Sequence, residues 1–299
     1  MDPSDVRAVV EATWRQESAR VVASVARLVG DVGLAEELTQ DVVVTALQRW
    51  PSAGVPDNPG GWLMHVARQH AIDHIRRQDR LAQKLPLLVT EPPPEPLDDE
   101  GLPDDVLRLI FTACHPALST EARVAMTLRV VGGLTTVEIA RAFLVPESTV
   151  AQRIVRAKRA LAGKPFEIPA AASRAERLAS VLEVVYLIFN EGYTATGGPE
   201  WFRPPLCTEA LRLGRLLADL APDEPEVHGL LALMELQSSR LPARLNADGE
   251  PVPLLEQDRS HWDGSAIARG FEALMQAGAL PDQPYVLQAA IAEDRKSVV

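Results

Sequence analysis

Cysteine is nearly missing from this chain. Cys114 and Cys207 are the only two, and they stand far apart. That is the usage of a reducing compartment, not of a disulfide framework. Cys114-His115 lacks the second ligand pair that a finger-type zinc site needs at short spacing. Aromatic residues make up only 5% of the chain, and β-branched runs are few, while Ala, Leu, Arg and Glu are abundant. This balance disfavours sheets and points to an all-α protein. No apolar run approaches the roughly 20 residues that span a bilayer. The longest, residues 181–189, is broken by Glu183 and reads as a buried helix. The N-terminal MDPSDVRAVVEATWRQ is too polar for a signal peptide. A cytoplasmic protein without membrane contact is expected. Positive charge is also short, with a net charge of −11 at pH 7. A protein that holds DNA unaided is usually basic, so any DNA-binding face here calls for a partner to supply affinity.

Such a face is present between Leu134 and Leu161, GLTTVEIARAFLVPESTVAQRIVRAKRAL with its leading Gly133. Thr135 and Glu138 form a Thr-x-x-Glu capping box that starts a helix, with Ile139, Ala140 and Phe143 on one side. Phe143-Leu144-Val145 make a turn, and Pro146 restarts the chain with φ already helical. The second helix buries Val150, Ile154 or Val155, and Leu161. Its other side carries Ser148, Thr149, Gln152 and Arg153, then Arg156, Lys158 and Arg159. Short polar groups first and cations after are the order of a helix-turn-helix recognition helix, whose first turns reach base edges and whose basic residues hold phosphates. A solvated helical hairpin would share the two-helix pattern but not that order.

The 299 residues suffice for two or three small domains. The first, residues 1–84, reads as helical throughout. Val6, Val9, Val10, Thr13 and Trp14 make one stripe; Val21, Val22, Val25, Leu28 and Val29 make another, ending near Gly30. A third helix over residues 34–47 gathers Glu36, Glu37, Gln40 and Asp41 on one side. That side is either solvated or a docking surface for a basic partner. Residues 51–61, rich in Pro and Gly, read as a loop. The following helix, residues 62–80, sets an apolar stripe beside Trp62, His65, Arg68, Gln69, His70, His74, Arg76 and Arg77. The three histidines do not fall on one stripe, so a nucleic-acid face explains them better than a metal. Residues 85–104 hold six prolines with seven nearby carboxylates, and no Lys or Arg occurs from 85 to 105. They read as a semi-extended acidic linker that also has the charge to thread a basic channel. The second domain, residues 105–165, adds two helices before the helix-turn-helix, one capped by Ser119.

Two stretches carry a close resemblance. AEELTQDVVVTALQRW (35–50) with NPGGWLMHVARQHAIDHIRR (58–77), followed across the linker by LSTEARVAMTLRVVGGLTTVEIARAFLVPESTVAQRIVRAKRAL (118–161), is similar to bacterial RNA polymerase sigma factors of the extracytoplasmic-function type. The resemblance implies that Glu36, Glu37, Gln40 and Asp41 face core RNA polymerase. It implies that Trp62, Arg68, His70, His74, Arg76 and Arg77 lie along the unwound minus-ten strand of promoter DNA. Ser148, Thr149, Gln152 and Arg153 would face the minus-thirty-five major groove, with Arg156 and Arg159 on phosphates. Pro146 departs from the Ser cap that many relatives place there, which leaves the first helical residue open.

Residues 166–299 form a helical extension. Helices are expected over 174–189, 206–220, 225–237 and from 262 or 263 to 275, with turns at 190–199 and at Asp248-Gly249. YLIFNEGYTATGG, LCTEALRLGRLLADLAPDEPEVHGLLALMELQSSR and LLEQDRSHWD are similar to the subgroup whose extension continues into tetratricopeptide-like repeats and controls activity. A regulatory protein acting on it is therefore an expected partner. Asp258 and His261 could form an acid–base pair, but residues beside turns more often cap helices, and neither an enzyme nor a cofactor is expected. The final DRKSVV is what a common sequencing adapter would encode, so the natural chain is expected to continue past 293. A stand-alone helix-turn-helix regulator with a sensing domain is the alternative. It would bind palindromic DNA as a dimer without polymerase.

Overall fold

A computed structural model describes residues 3–82, 102–194, 203–246, 250–278 and 282–297. The expected linker lies mostly outside them, as do the Gly197-Gly198 turn and the Asp248-Gly249 turn. Among the described residues the elements are helices and short 3-10 turns, with one isolated bridge between Leu245 and Pro251. The all-α expectation holds. The chain forms two compact units: residues 1–139 with 146–178, and residues 140–145 with 179–299.

In the first unit, α1 (Pro3–Val29) is one helix where two stripes are expected. The stripes join because Ser18 occupies a core position between them. It is fully buried, and its hydroxyl donates to the Val131 carbonyl at 3.3 Å. Gly30, at φ 69°, ends the helix. Asp31 then caps α2 (Val32–Ala53) by accepting from the Leu34 N–H at 2.9 Å. This helix runs through Pro51, so the expected loop is short, and α3 (Pro59–Ala82) begins before Trp62. Proline is tolerated there because it falls in the last turn, which Gly54 closes at φ 86° with its N–H on the Trp50 carbonyl. Trp50 and Trp62 meet edge to face, 5.4 Å between centroids.

The second half of this unit begins with α4 (Leu102–Ala113), so Pro103 stands in a first helical turn rather than in a linker. α5 (Thr120–Val130) starts as expected at Ser119, whose hydroxyl accepts from the Ala122 N–H. Then come α6 (Thr136–Ala142) and α7 (Glu147–Leu161). Gly133 sits at φ 69° between α5 and α6. A Cβ there would lie 2.6 Å from the Ser18 hydroxyl oxygen.

α8 (Ala171–Tyr193) continues through Asn190-Glu191-Gly192, which therefore is helix and not turn. In the second unit α9 (Pro204–Leu220), α10 (Pro225–Ser238), α11 (Gly264–Ala277) and α12 (Pro284–Ser297) follow. α10 is the centre, buried on nearly all sides against the other three. Ala232, Leu233, Leu236, Ala273, Ala289 and Ala292 form a shared core, with Tyr186 and Tyr285 packed on it. The alanines allow the helix axes to approach closely. Glu235 is buried on α10 between Arg215 of α9 and Arg269 of α11, which donate to its two oxygens. Trp262 lies under the guanidinium groups of both Arg240 and Arg259. Arg203 donates to the Ala142 carbonyl at 2.6 Å and pairs with Glu191.

Two substitutions test these joints by urea denaturation. Gly133→Ala should cost about 2 kcal/mol, from left-handed strain and the clash with Ser18. Glu235→Ala should cost the extension about 2 kcal/mol through lost charge-assisted hydrogen bonds.

Candidate nucleic-acid interface

The helix-turn-helix forms as its residues predict. The Thr135 N–H donates to Glu138 at 2.7 Å, and the Glu138 N–H donates to the Thr135 hydroxyl at 3.2 Å. That completes the capping box at the start of α6. In the turn, Leu144 adopts φ 49°, and the Val145 N–H reaches the Ala140 carbonyl at 3.1 Å. Pro146, extended at ψ 142°, is the N-cap of α7 without a side-chain bond, so the first helical residue is Glu147.

α7 buries Val150, Ile154, Ala157 and Leu161, while Val155 is exposed. The choice between Ile154 and Val155 goes to Ile154, which keeps helical spacing with Val150. Ser148, Gln152, Arg156 and Arg159 are exposed; Thr149 and Arg153 are half-buried beside them. At about 100° per residue these side chains occupy one side of the helix. Arg153 also stands near Glu121. The Glu121 carboxyl is lowered chiefly by its own backbone N–H, then by the Ser119 hydroxyl, and to a smaller degree by Arg153. Arg156 and Arg159 are the exposed cations of α7.

The strip expected on α3 divides. Trp62 is half-buried against Trp50, and Arg76 and Arg77 are exposed. His70 and His74 are half-buried on the flank, with a His74 ring nitrogen 3.0 Å from the Gln78 amide. Arg68 does not join them. Its Nε donates to the Ser24 hydroxyl of α1 at 2.9 Å. Arg68 and Arg77 are nine residues apart, two and a half helical turns, so they point opposite ways. That separation was readable in the sequence.

On α2 the four polar residues share a side but not an environment. Glu37 and Asp41 are exposed, Gln40 is half-buried, and Glu36 is buried. The Glu36 carboxylate accepts from Arg129 Nε at 2.8 Å and pairs with Lys158; Lys158 also reaches Glu37 at 3.3 Å. The same side of α2 leaves Val44 51% and Leu47 38% exposed. Sequence reasoning missed these two. The run Val42-Val43-Val44 was the available signal, since one of three successive valines on a helix must face away from the core.

Among the described residues Asp258 and His261 are near enough to interact electrostatically but make no side-chain hydrogen bond or ion pair with each other. The Asp258 carboxylate accepts from the Ser260 N–H and hydroxyl at 2.9 and 2.7 Å. Those bonds, the hydroxyl's first, hold its carboxyl below the usual range. Asp263 caps α11 through the Ser265 and Ala266 N–H groups. Among the described residues no group of His, Cys, Asp and Glu has the arrangement of a metal site, and no helix is long and apolar enough to cross a membrane.

Three stretches of the chain match known families. Residues 14–81 match Sigma-70 region 2, residues 108–161 match Sigma-70, region 4, and residues 177–278 match a family of unknown function, DUF6596. An uncharacterized protein of Rhizobium meliloti (strain 1021) is 44% identical over 280 residues, covering 88% of this chain and 64% of that protein. The ECF RNA polymerase sigma factor SigK of Mycobacterium bovis (strain BCG / Pasteur 1173P2) is 30% identical over 149 residues, covering 48% of this chain and 78% of the relative. SigK of Mycobacterium sp. (strain KMS) is 29% identical over 150 residues, covering 48% and 76%. No solved structure gives a significant match.

Arg68→Ala should lower the unfolding free energy by about 1.5 kcal/mol, the cost of a charge-assisted bond. Arg77→Ala should change it by less than about 0.5 kcal/mol. Urea midpoints of the two variants separate the structural cation from the exposed one.

Proposed function

The chain belongs to the ECF RNA polymerase sigma factors, and on that premise we propose that it binds core RNA polymerase and directs promoter-specific initiation. The observation that carries this reading is the outward side of α7. Ser148 and Gln152 stand free near its N-terminus, with Arg156 and Arg159 beyond, over a fully packed apolar seam. That is the arrangement in which base edges are read first and phosphates neutralised after. Thr149 and Arg153 flank it and widen the contact to the minus-thirty-five groove.

Trp62, Arg76 and Arg77, with His70 and His74 beside them, supply the stacking and cationic groups that hold an unwound minus-ten strand. Arg68 acts in this reading by fixing α3 to α1. Polymerase docks on α2, where Glu37, Gln40 and Asp41, with the covered Glu36 beside them, adjoin the exposed Val44 and Leu47. An acidic docking side and a net charge of −11 suit a protein that reaches DNA only with polymerase. The factor works in the cytoplasm, and the extension, residues 166–299, regulates it through a protein contact. The stand-alone regulator is not favoured, since the Sigma-70 region 2 match has no role in it.

The test is promoter binding and strand opening at fixed salt, with and without core polymerase. Specific binding and opening are expected only with core; tight specific binding by the chain alone would favour the regulator. In the assembled complex Gln152→Ala should cost about 1–3 kcal/mol at one promoter position and relax specificity there. Arg156→Ala should weaken all promoters alike and reduce the salt slope by about one.

A further inference from the structure

The residue best suited to meet a basic polymerase surface is already occupied. Glu36 lies on the docking side of α2, yet its side chain is only 5% exposed. Arg129 of α5 and Lys158 of α7 share its two oxygens, and both cations are themselves largely covered. Lys158 bridges on to Glu37. Arg129 is fixed in turn by donating to the Leu134 carbonyl at 3.1 Å. Three further contacts tie α1 to the second half of the unit. Arg15 of α1 pairs with Glu138 of α6 at 2.6 Å, Arg27 with the buried Asp105 of α4 at 3.3 Å, and Ser18 with the Val131 carbonyl. Gly33 lets the Lys158 stem lie against α2: a Cβ at 33 would stand 3.2 Å from Lys158 Cβ.

We propose that this is a closed state of the free factor, in which the helix-turn-helix half covers Glu36 and engages Glu37 through Lys158, so that core gains the whole docking side of α2 only after Lys158 and Arg129 let go. The inference rests on the assignment of α2 to polymerase docking. Its physical content is competition. A carboxylate out of water keeps its charge only while paired, so an incoming basic surface must replace the internal cations one for one. Lys158 is suited to be the latch because it is not on the promoter-reading side. It lies about 100° round α7 from Arg159 and contacts α2 instead of solvent.

A lock and a release test this in the full chain. Cys114 and Cys207 are both buried and outside any disulfide, so Gly33→Cys with Lys158→Cys introduces the thiol pair that oxidation is to join. Their Cβ separation is slightly under the roughly 3.5–4.5 Å of a disulfide. Oxidation of the free protein should form the intramolecular bond. The locked form should bind core polymerase roughly tenfold more weakly or worse, with recovery on reduction. Separately, Lys158→Glu should repel Glu36 and raise core affinity by about fivefold or more over the native chain. A disulfide-locked protein that binds core as tightly as its reduced form overturns the proposal, as does Lys158→Glu with unchanged core affinity. If the native chain and every variant fail to bind core, the polymerase assignment itself falls. Disulfide yield reports the closed contact independently of it.

Discussion

A carboxylate taken out of water must be paired or neutralised, and Glu36 is where the first unit meets that requirement. Apolar packing between α1, α2, α4 and α5 supplies most of the cohesion, but it is non-directional and tolerates sliding. The pairing of Glu36 with Arg129 and Lys158 tolerates none, because displacement by one helical position would leave a buried charge without a partner. The register of α2 against α5 and α7 is therefore set electrostatically. At Gly33 and Gly133 the chain runs close against side chains: a Cβ would stand 3.2 Å from Lys158 Cβ at the first and 2.6 Å from the Ser18 hydroxyl oxygen at the second.

The extension solves the same problem with the same chemistry. Glu235 on its central helix is clamped by arginines from the two flanking helices. A planar guanidinium suits this task better than an ammonium, since it donates two parallel bonds to one carboxylate. Both arginines remain half exposed, so the charge pair is anchored at the surface while the acid alone is buried. Both units thus use an acid as an internal fastener. Trp262 between Arg240 and Arg259 holds the segment before α11 by a related attraction of cation to ring face.

How much of this was legible depended on whether the cause was local. The Thr135–Glu138 capping box, the Ser119 cap and the apolar seam of α7 all lie within one or two turns of sequence, and all were readable. The single long α1 was not, because Ser18 breaks the apolar stripe and only a carbonyl from residue 131 makes a buried hydroxyl acceptable there. Pro51 and Pro103 read as loop signals by residue type; their positions in a last and a first helical turn could only be seen with the helices in place, Pro103 where an N–H has no partner within the helix and Pro51 where one backbone bond is forgone. Arg68 was grouped with the other α3 cations by charge, although its spacing from Arg77 already set them apart. The environment of Glu36 lay beyond any local reading. Its partners stand 93 residues away and farther.

The division of labour on α7 follows from helical geometry. A helix of fifteen residues has room for three stripes. One is apolar, through Val150, Ile154, Ala157 and Leu161. One is polar and basic, through Ser148, Gln152, Arg156 and Arg159. The third is the flank carrying Lys158, which faces α2. Because the latch and the reading side are different stripes, closing the first unit leaves the outward side of α7 exposed. Closure therefore would not act by hiding that side from DNA. It would act on partner access, withholding Glu36 and its neighbourhood on α2 from a polymerase surface. For an acidic protein this is the more effective point of control. Its few outward cations would hold promoter DNA weakly without a partner, so a factor denied polymerase is already denied the promoter.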